Sequence, residues 1–280
     1  MTKRLMISFS GGRTSAYMSA HIRDFCPGYD EYKFVFANTG QEHDDTLRFV
    51  SDISERFNLN TVWVEALVHP LHGKGTTHKV VSHNTAARWS DMNGPFVNVC
   101  GKYGLPNMKF PQCTRELKQR PIMSYMRSIG WKTGTYDTAL GIRVDEFDRI
   151  SPRSRENRII YPLVKHKIRK QDVLNFFSEY HSDIDLRIPE RLGNCLWCWK
   201  KSHKKLQENV ASNPEMFDFP AMLEERFKMV GPERKKGPDG HRRRMFRGEL
   251  KVADVVRGRS ISPEEDLPNA CSESCEVTFE

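Results

Sequence analysis

Ser10-Gly11-Gly12-Arg13-Thr14-Ser15 follows a short apolar run, Leu5 to Phe9, and precedes a segment in which Ala16, Tyr17, Met18, Ala20 and Ile22 fit a helix. Strand, tight loop and helix in that order suit an anion site. Glycines let the backbone approach phosphates, a helix start offers N–H groups and partial positive charge, and Ser10, Thr14 and Ser15 add hydroxyls. The spacing matches neither Gly-x-x-x-x-Gly-Lys-[Ser/Thr] nor Gly-x-Gly-x-x-Gly, which excludes a Walker-type P-loop and a dinucleotide-binding Rossmann turn. A ligand-free Gly-Gly turn capped by serine has the same local composition, so the loop needs support from the rest of the chain.

Cys195-Leu196-Trp197-Cys198 places two thiols within reach of one metal centre. Seven cysteines, with no export signal, point to thiol or metal chemistry rather than a disulfide framework. Cys26 follows an amphipathic segment and reads as a packed thiol. Cys271 and Cys275 lie in an acidic tail, where a thiol is a poor nucleophile.

The elements that must position these groups alternate. Tyr32 to Ala37 reads as a second buried strand, Asp45 to Phe57 as a helix, and Thr61 to Ala66 as a third strand. The expectation is an α/β fold, a parallel sheet with helices on both faces and ligands at the carboxyl ends of its strands. From His69 to Pro111 little periodicity is visible, and a long functional loop is expected. Arg115 to Ile129 reads as helix, Thr135 to Gly141 as strand, Lys170 to Tyr180 as helix, and Pro214 to Val230 as a further helix. The expected organisation is a nucleotide-binding domain over 1–185, with a cysteine-containing and basic region over 186–280 packed on it.

The chain has 280 residues, 44 Lys+Arg against 36 Asp+Glu, and 16 Phe, 8 Tyr and 5 Trp. That many aromatics exclude a disordered chain, and the length suffices for a full core. No apolar run of about 18 residues exists, so no membrane partner and a cytoplasmic location are expected. Between Gly231 and Gly248 stand Arg234, Lys235, Lys236, Arg242, Arg243, Arg244 and Arg247 against Glu233 and Asp239. Lys200, Lys201, Lys204 and Lys205 extend the field. Such a segment is either a solvated linker or an arm that tracks the phosphates of tRNA or DNA.

Three ordered blocks resemble the PP-loop ATP pyrophosphatase superfamily, in particular its phosphoadenylyl-sulfate (PAPS) reductase-like branch. Ser8-Phe9-Ser10-Gly11-Gly12-Arg13-Thr14-Ser15 resembles the PP-loop itself. Phe36-Ala37-Asn38-Thr39-Gly40-Gln41-Glu42, with Thr46 to Val50 after it, is similar to a strand ending in Asp-Thr-Gly, with Asn38 in place of Asp. Gly141-Ile142-Arg143-Val144-Asp145-Glu146, with Arg149 and Tyr161-Pro162-Leu163, is similar to the branch's Gly-x-Arg-x-x-Glu-x-x-Arg and Tyr-Pro-Leu segments. The resemblance covers roughly residues 4 to 200.

It implies an adenine nucleotide alpha hydrolase-like fold and an adenosine nucleotide held by Ser8, Ser10, Gly11, Gly12, Arg13, Thr14, Ser15, Asn38, Thr39, Gly40, Glu42, Gly141, Arg143 and Arg149. Ser10, Arg13 and Arg143 are the expected catalytic groups. ATP with Mg²⁺ is the expected substrate pair, and the arginines are planar forks suited to phosphate or sulfate. A surface ion-pair network with Asp145, Glu146 and Asp148 is the alternative for Arg143 and Arg149. Cys113, followed by Arg115, Lys118 and Pro121 and 82 residues before Cys195, is similar to the iron–sulfur members, with Gln112 where their first cysteine stands. A [4Fe–4S] cluster on Cys113, Cys195 and Cys198, with Cys100 as fourth ligand, is the implied cofactor. Zinc on the same thiols, with His203 in reach, and free redox thiols remain open.

The leading expectation is an enzyme that activates a nucleic acid or nucleotide by adenylation, sulfur then entering from hydrosulfide or a persulfide, with a sulfur donor protein as a further partner. Reduction of PAPS or adenylyl sulfate to sulfite is the competing enzymatic reading, although the C-terminal Glu-Cys-Gly-[Leu/Ile]-His of those reductases has no counterpart here. A non-catalytic nucleotide- or nucleic-acid-binding module is the third.

Overall fold

A computed structural model describes residues 2–71, 73–233 and 239–266. The first strand, β1 (Arg4–Ser8), is buried along almost its whole length and continues through the Ser10 loop into helix α1 (Arg13–Phe25). Then follow β2 (Glu31–Asn38), α2 (Asp44–Arg56) and β3 (Val62–Val68). β1, β2, α2 and β3 stand within two residues of their expected bounds, because strands buried on both faces read as continuous apolar runs.

The region expected to be an irregular loop contains two elements. β4 (Thr76–Val81) pairs antiparallel with β3, and α3 (Pro95–Tyr103) follows, with Pro95 at its first turn and Gly104 after its end. β4 is an edge strand whose residues 77–80 face outward at least in part, so it carries polar residues and lacks an apolar run.

The helix after Cys113 is also not uniform. Residues Thr114–Gln119 form a π-helical segment that leads into α4 (Arg120–Ser128). The sheet is completed by β5 (Asp137–Ala139) and β6 (Ile159–Ile160), giving the order β4-β3-β2-β1-β5-β6 among the described residues, parallel except at β4. Two short helices, α5 (Pro162–Lys165) and α6 (Lys170–Asn175), follow, the latter running into a second π-helical turn, Phe176–Tyr180.

Alternate residues of β1 show why both faces need cover. Leu5 and Ile7 pack with Met18 and Ile22 of α1, Phe49 of α2 and Val173 of α6, whereas Met6 packs with Ile122 and Met126 of α4 on the other face. A third core joins α3 to the C-terminal region: Phe96, Val99 and Leu117 pack with Trp197, Leu223 and Phe246. That region contributes α7 (His203–Ser212), α8 (Asp218–Phe227) and α9 (Val252–Val256). Residues beyond 195 thus complete the core of α3 rather than forming an independent one.

Candidate functional site

The loop between β1 and α1 is held by its own hydroxyls. Ser10 N donates to Ser15 Oγ at 3.1 Å, Ser15 Oγ donates to Gly12 O at 2.9 Å, and the Ser10 and Ser15 hydroxyls are 2.9 Å apart. Gly11 has φ +85°, and a Cβ there would lie 2.9 Å from Thr46 Cγ2 and 3.3 Å from Phe36. Gly12 is different: a Cβ would meet nothing nearer than Ser10 Oγ at 4.0 Å. Its hydrogen faces open volume. The first turn of α1 contains no acidic residue, so the partial positive charge at its start is not compensated there.

This loop lines a cavity of about 130 Å³ that opens to solvent. Ser10 to Ser15 form one side. Arg143, Glu146 and Lys170 come from the chain after β5 and from α6, and Glu190, Gly193 and Asn194 from the turn before Cys195. Ser8 and Gly141 are buried supports outside the lining.

The cations of the cavity are held in three ways. Arg13 donates Nε and Nη2 to the Asp185 carboxylate at 2.6 and 3.0 Å, and Nη2 also to Leu186 O. The free phosphate neutraliser expected at position 13 is therefore already paired with a carboxylate 172 residues away. Arg143 donates to Thr14 Oγ1 at 2.6 Å and pairs with Asp145 (3.1 Å) and Glu146 (3.4 Å). Burial alone would raise the Asp145 carboxyl, but the hydrogen bond and charge of Arg143 outweigh it and hold the group below its ordinary range. Arg149 lies outside the lining and donates to Glu146 at 2.6 Å. Arg143 faces the cavity, and it does so inside an ion-pair network. Lys170 Nζ donates to both Glu190 oxygens at 3.0 and 2.9 Å.

The block at the end of β2 stands elsewhere. None of Asn38, Thr39, Gly40 and Glu42 lines the cavity beside Ser10–Ser15. Asn38 Nδ2 donates to Glu65 Oε1 at 2.7 Å and to Ala87 O at 2.9 Å, and its Oδ1 accepts from Gly40 N. The Glu65 carboxylate explains the amide: an aspartate at 38 would set two carboxylates against each other. Glu42 accepts from Thr39 N and Oγ1 at 3.0 and 2.8 Å, and bridges to Cys195 in antiparallel fashion. These residues build the floor beneath the cysteines.

Cys113, Cys195 and Cys198 line one small cavity with Thr39, Phe96, Thr114, Leu117, Lys118, Trp197 and Trp199. Cys198 N donates to Cys195 O at 3.2 Å, a turn that keeps both thiols together, and Thr39 Oγ1 lies 3.6 Å from Cys195 Sγ. The π-helical turn after Cys113 brings Thr114, Leu117 and Lys118 to the same wall; such turns often mark functional sites. Trp197 and Trp199 are nearly fully buried, each with an indole N–H that finds no acceptor. Three thiols, apolar walls and two unpaired N–H donors fit a sulfur-rich group. Among the described residues, however, no three His, Cys, Asp or Glu side chains gather closely enough for a single metal ion.

Cys100 is not in the lining. It is fully buried on α3, where burial first, then Cys113, push its thiol well above the ordinary range. His203 is also outside, its N–H donating to Asp266. Cys26 stands at the opposite end of α1, raised by burial, and Cys271 and Cys275 fall outside the described residues.

The two cavities meet at one short strand of chain: Gly193 and Asn194 line the first, Cys195 the second. Lys201 Nζ donates to Gly193 O and Cys195 O, both at 2.8 Å, and fixes this partition.

The described arginines of the basic segment are engaged within the fold. Arg242 donates to Gly231 O, Arg243 lies 3.5 Å above the Phe110 ring, Arg244 pairs with Asp239 at 2.6 Å, and buried Arg247 donates to Asp266 O and Lys200 O. These arginines hold the C-terminal region together. Arg234, Lys235 and Lys236 lie outside the described residues.

Sequence reasoning missed Asp185, Lys170, Glu190 and Asn194. Asp185, Lys170 and Glu190 are isolated polar residues with no motif around them, and Asn194 stands directly before the Cys195–Cys198 pair. Only the positive φ of Asn194 (59°) is distinctive, and that is visible solely in the backbone.

No family model matches the chain. It is 29% identical over 290 aligned positions to the uncharacterized nin region protein ORF290 of Escherichia phage lambda, an alignment covering 97% of this chain and 94% of that protein. The likeness therefore runs through both cavities and the C-terminal region.

Proposed function

We propose that the chain is a PP-loop enzyme that binds ATP with Mg²⁺ in the cavity beside Ser10–Ser15 and activates a nucleic acid or nucleotide for sulfur transfer. The observation that supports this reading is the contact of two unlike cavities across Gly193–Cys195, one lined by the Ser10–Ser15 loop and the other by three thiols. The loop amides and the start of α1 receive the phosphates, and Arg143 balances charge that develops on them. An oxygen of the acceptor attacks the α-phosphorus, pyrophosphate leaves, and the adenylated oxygen departs with AMP when hydrosulfide attacks the activated carbon or phosphorus and gives up its proton.

Cys113, Cys195 and Cys198 are the residues that would hold an iron–sulfur cluster, which would supply an open iron for sulfur chemistry. Thr39 and Lys201 orient Cys195, and Phe96, Leu117, Trp197 and Trp199 keep water from the thiols. The arginines of 242–247 are engaged inside the fold, so support for a nucleic-acid acceptor is limited to the net charge of +8.

Incubation with ATP, Mg²⁺ and tRNA or DNA tests the reading: AMP, pyrophosphate and a thiolated acceptor are expected. Sulfite release from PAPS without ATP consumption would establish the reductase instead. Nucleotide binding with neither product would leave a binding module.

A further inference from the structure

The three cations of the phosphate-loop cavity differ in how easily they can turn to a ligand. Arg13 is fixed by Asp185 and Leu186 O, and Arg143 by Thr14, Asp145 and Glu146; their side chains are 23% and 14% exposed. Glu146, the other carboxylate on the lining, is itself held by Arg143 and Arg149. Among the described residues the Lys170 ammonium has one partner, Glu190, and this pair is about half exposed on both sides. An ion pair so placed is weak, and a lysine on its flexible stem can exchange it with little rearrangement.

We propose that Lys170 is the residue with which this cavity measures ligand charge: it exchanges Glu190 for the ligand's phosphate or sulfate oxygens. Glu190 is the built-in competitor. A polyphosphate offers Lys170 more negative charge than one carboxylate does and displaces Glu190. A monophosphate displaces it poorly, so the pair selects polyanionic nucleotides over their monophosphates. The inference rests on the reading of the cavity as a nucleotide site and names what that site discriminates.

The prediction is sign-specific. Removing the competitor strengthens binding, whereas a purely structural ion pair would weaken it or leave it unchanged. ATP and AMP are titrated at fixed Mg²⁺ into the wild type, Glu190→Gln, Lys170→Met and the double variant, with unfolding midpoints checked in parallel. Glu190→Gln is expected to tighten ATP about fivefold and AMP by more, which narrows the ATP/AMP ratio. Lys170→Met weakens ATP by about fivefold or more. In the Lys170→Met background, Glu190→Gln gains nothing, since the exchange has lost its cation.

A Glu190→Gln gain that persists without Lys170 shows that Glu190 merely repels phosphate, and overturns the proposal. So does unchanged ATP affinity in Lys170→Met. In either case wild-type ATP binding still stands and the nucleotide reading survives. A wild type that binds neither nucleotide overturns the nucleotide reading and the exchange together.

Discussion

The Arg13 guanidinium and the Asp185 carboxylate form a two-pronged pair, Nε to Oδ1 at 2.6 Å and Nη2 to Oδ2 at 3.0 Å, which ties the first residue of α1 to a segment 172 residues later. Charge-assisted bonds of this geometry are stronger than neutral ones. Asp185→Ala is expected to cost about 1–2 kcal/mol, reduced from a fully buried value because both side chains are about a quarter exposed. Arg13→Lys, which keeps the charge and loses the fork, should fall between. Denaturant midpoints measure both; equal stability of Asp185→Ala and wild type would show the pair to be incidental.

The two loop glycines should respond differently to the same substitution. Gly11→Ala forces a side chain into the left-handed region and against Thr46, an expected loss of about 2–4 kcal/mol. Gly12→Ala meets no close atom and should fold with nearly unchanged stability. Thermal unfolding of the two variants side by side decides this.

Asn38→Asp should destabilise the end of β2 by about 2–4 kcal/mol at pH 7, since the new carboxylate faces Glu65 at a separation where the amide now donates at 2.7 Å. Adding Glu65→Gln should restore most of the loss. If the double variant is no better than Asn38→Asp alone, like-charge repulsion is not the cause.

Glu224 provides a pH signature. Burial is the main cause that pushes its carboxyl up to about 7 from an ordinary 4.5, against the hydrogen bond from Val252 N and the charge of Lys251. Between those two values the folded chain keeps a proton that the unfolded chain has released. Stability therefore falls as pH rises from 4.5 to 7, by about 3 kcal/mol, and is flat in this respect outside the window. Glu224→Gln should flatten the profile; urea midpoints at pH 5 and pH 7.5 that drop equally in both proteins would refute the assignment.

Much of the sheet was readable because β1, β2 and β3 each contain a buried apolar run and alternate with amphipathic helices. β4 was not, since half of an edge strand faces water. The Ser10–Ser15 loop and Arg143 are local patterns and converge on one cavity. The remaining parts depend on distant partners: nothing near Asn38 announces Glu65, nothing near Arg13 announces Asp185, and the arginines of 242–247 look like a polyanion-binding run until Phe110, Asp239 and Asp266 are placed against them. The three thiols were legible as a set, whereas Cys100, close to Cys113 but turned into the core of α3, was not separable from them by spacing.

The claim on which the account depends is that an adenosine nucleotide places its phosphates against Ser10–Ser15 and Arg143. Calorimetric titration of the wild type, Gly12→Val and Arg143→Ala with ATP and Mg²⁺ tests it most directly. The account predicts one ATP per wild-type chain, at least about tenfold weaker binding without Arg143, and none when a valine fills the open side of Gly12. Absence of heat with both ATP and PAPS in the wild type, or equal affinity in all three proteins, would contradict it.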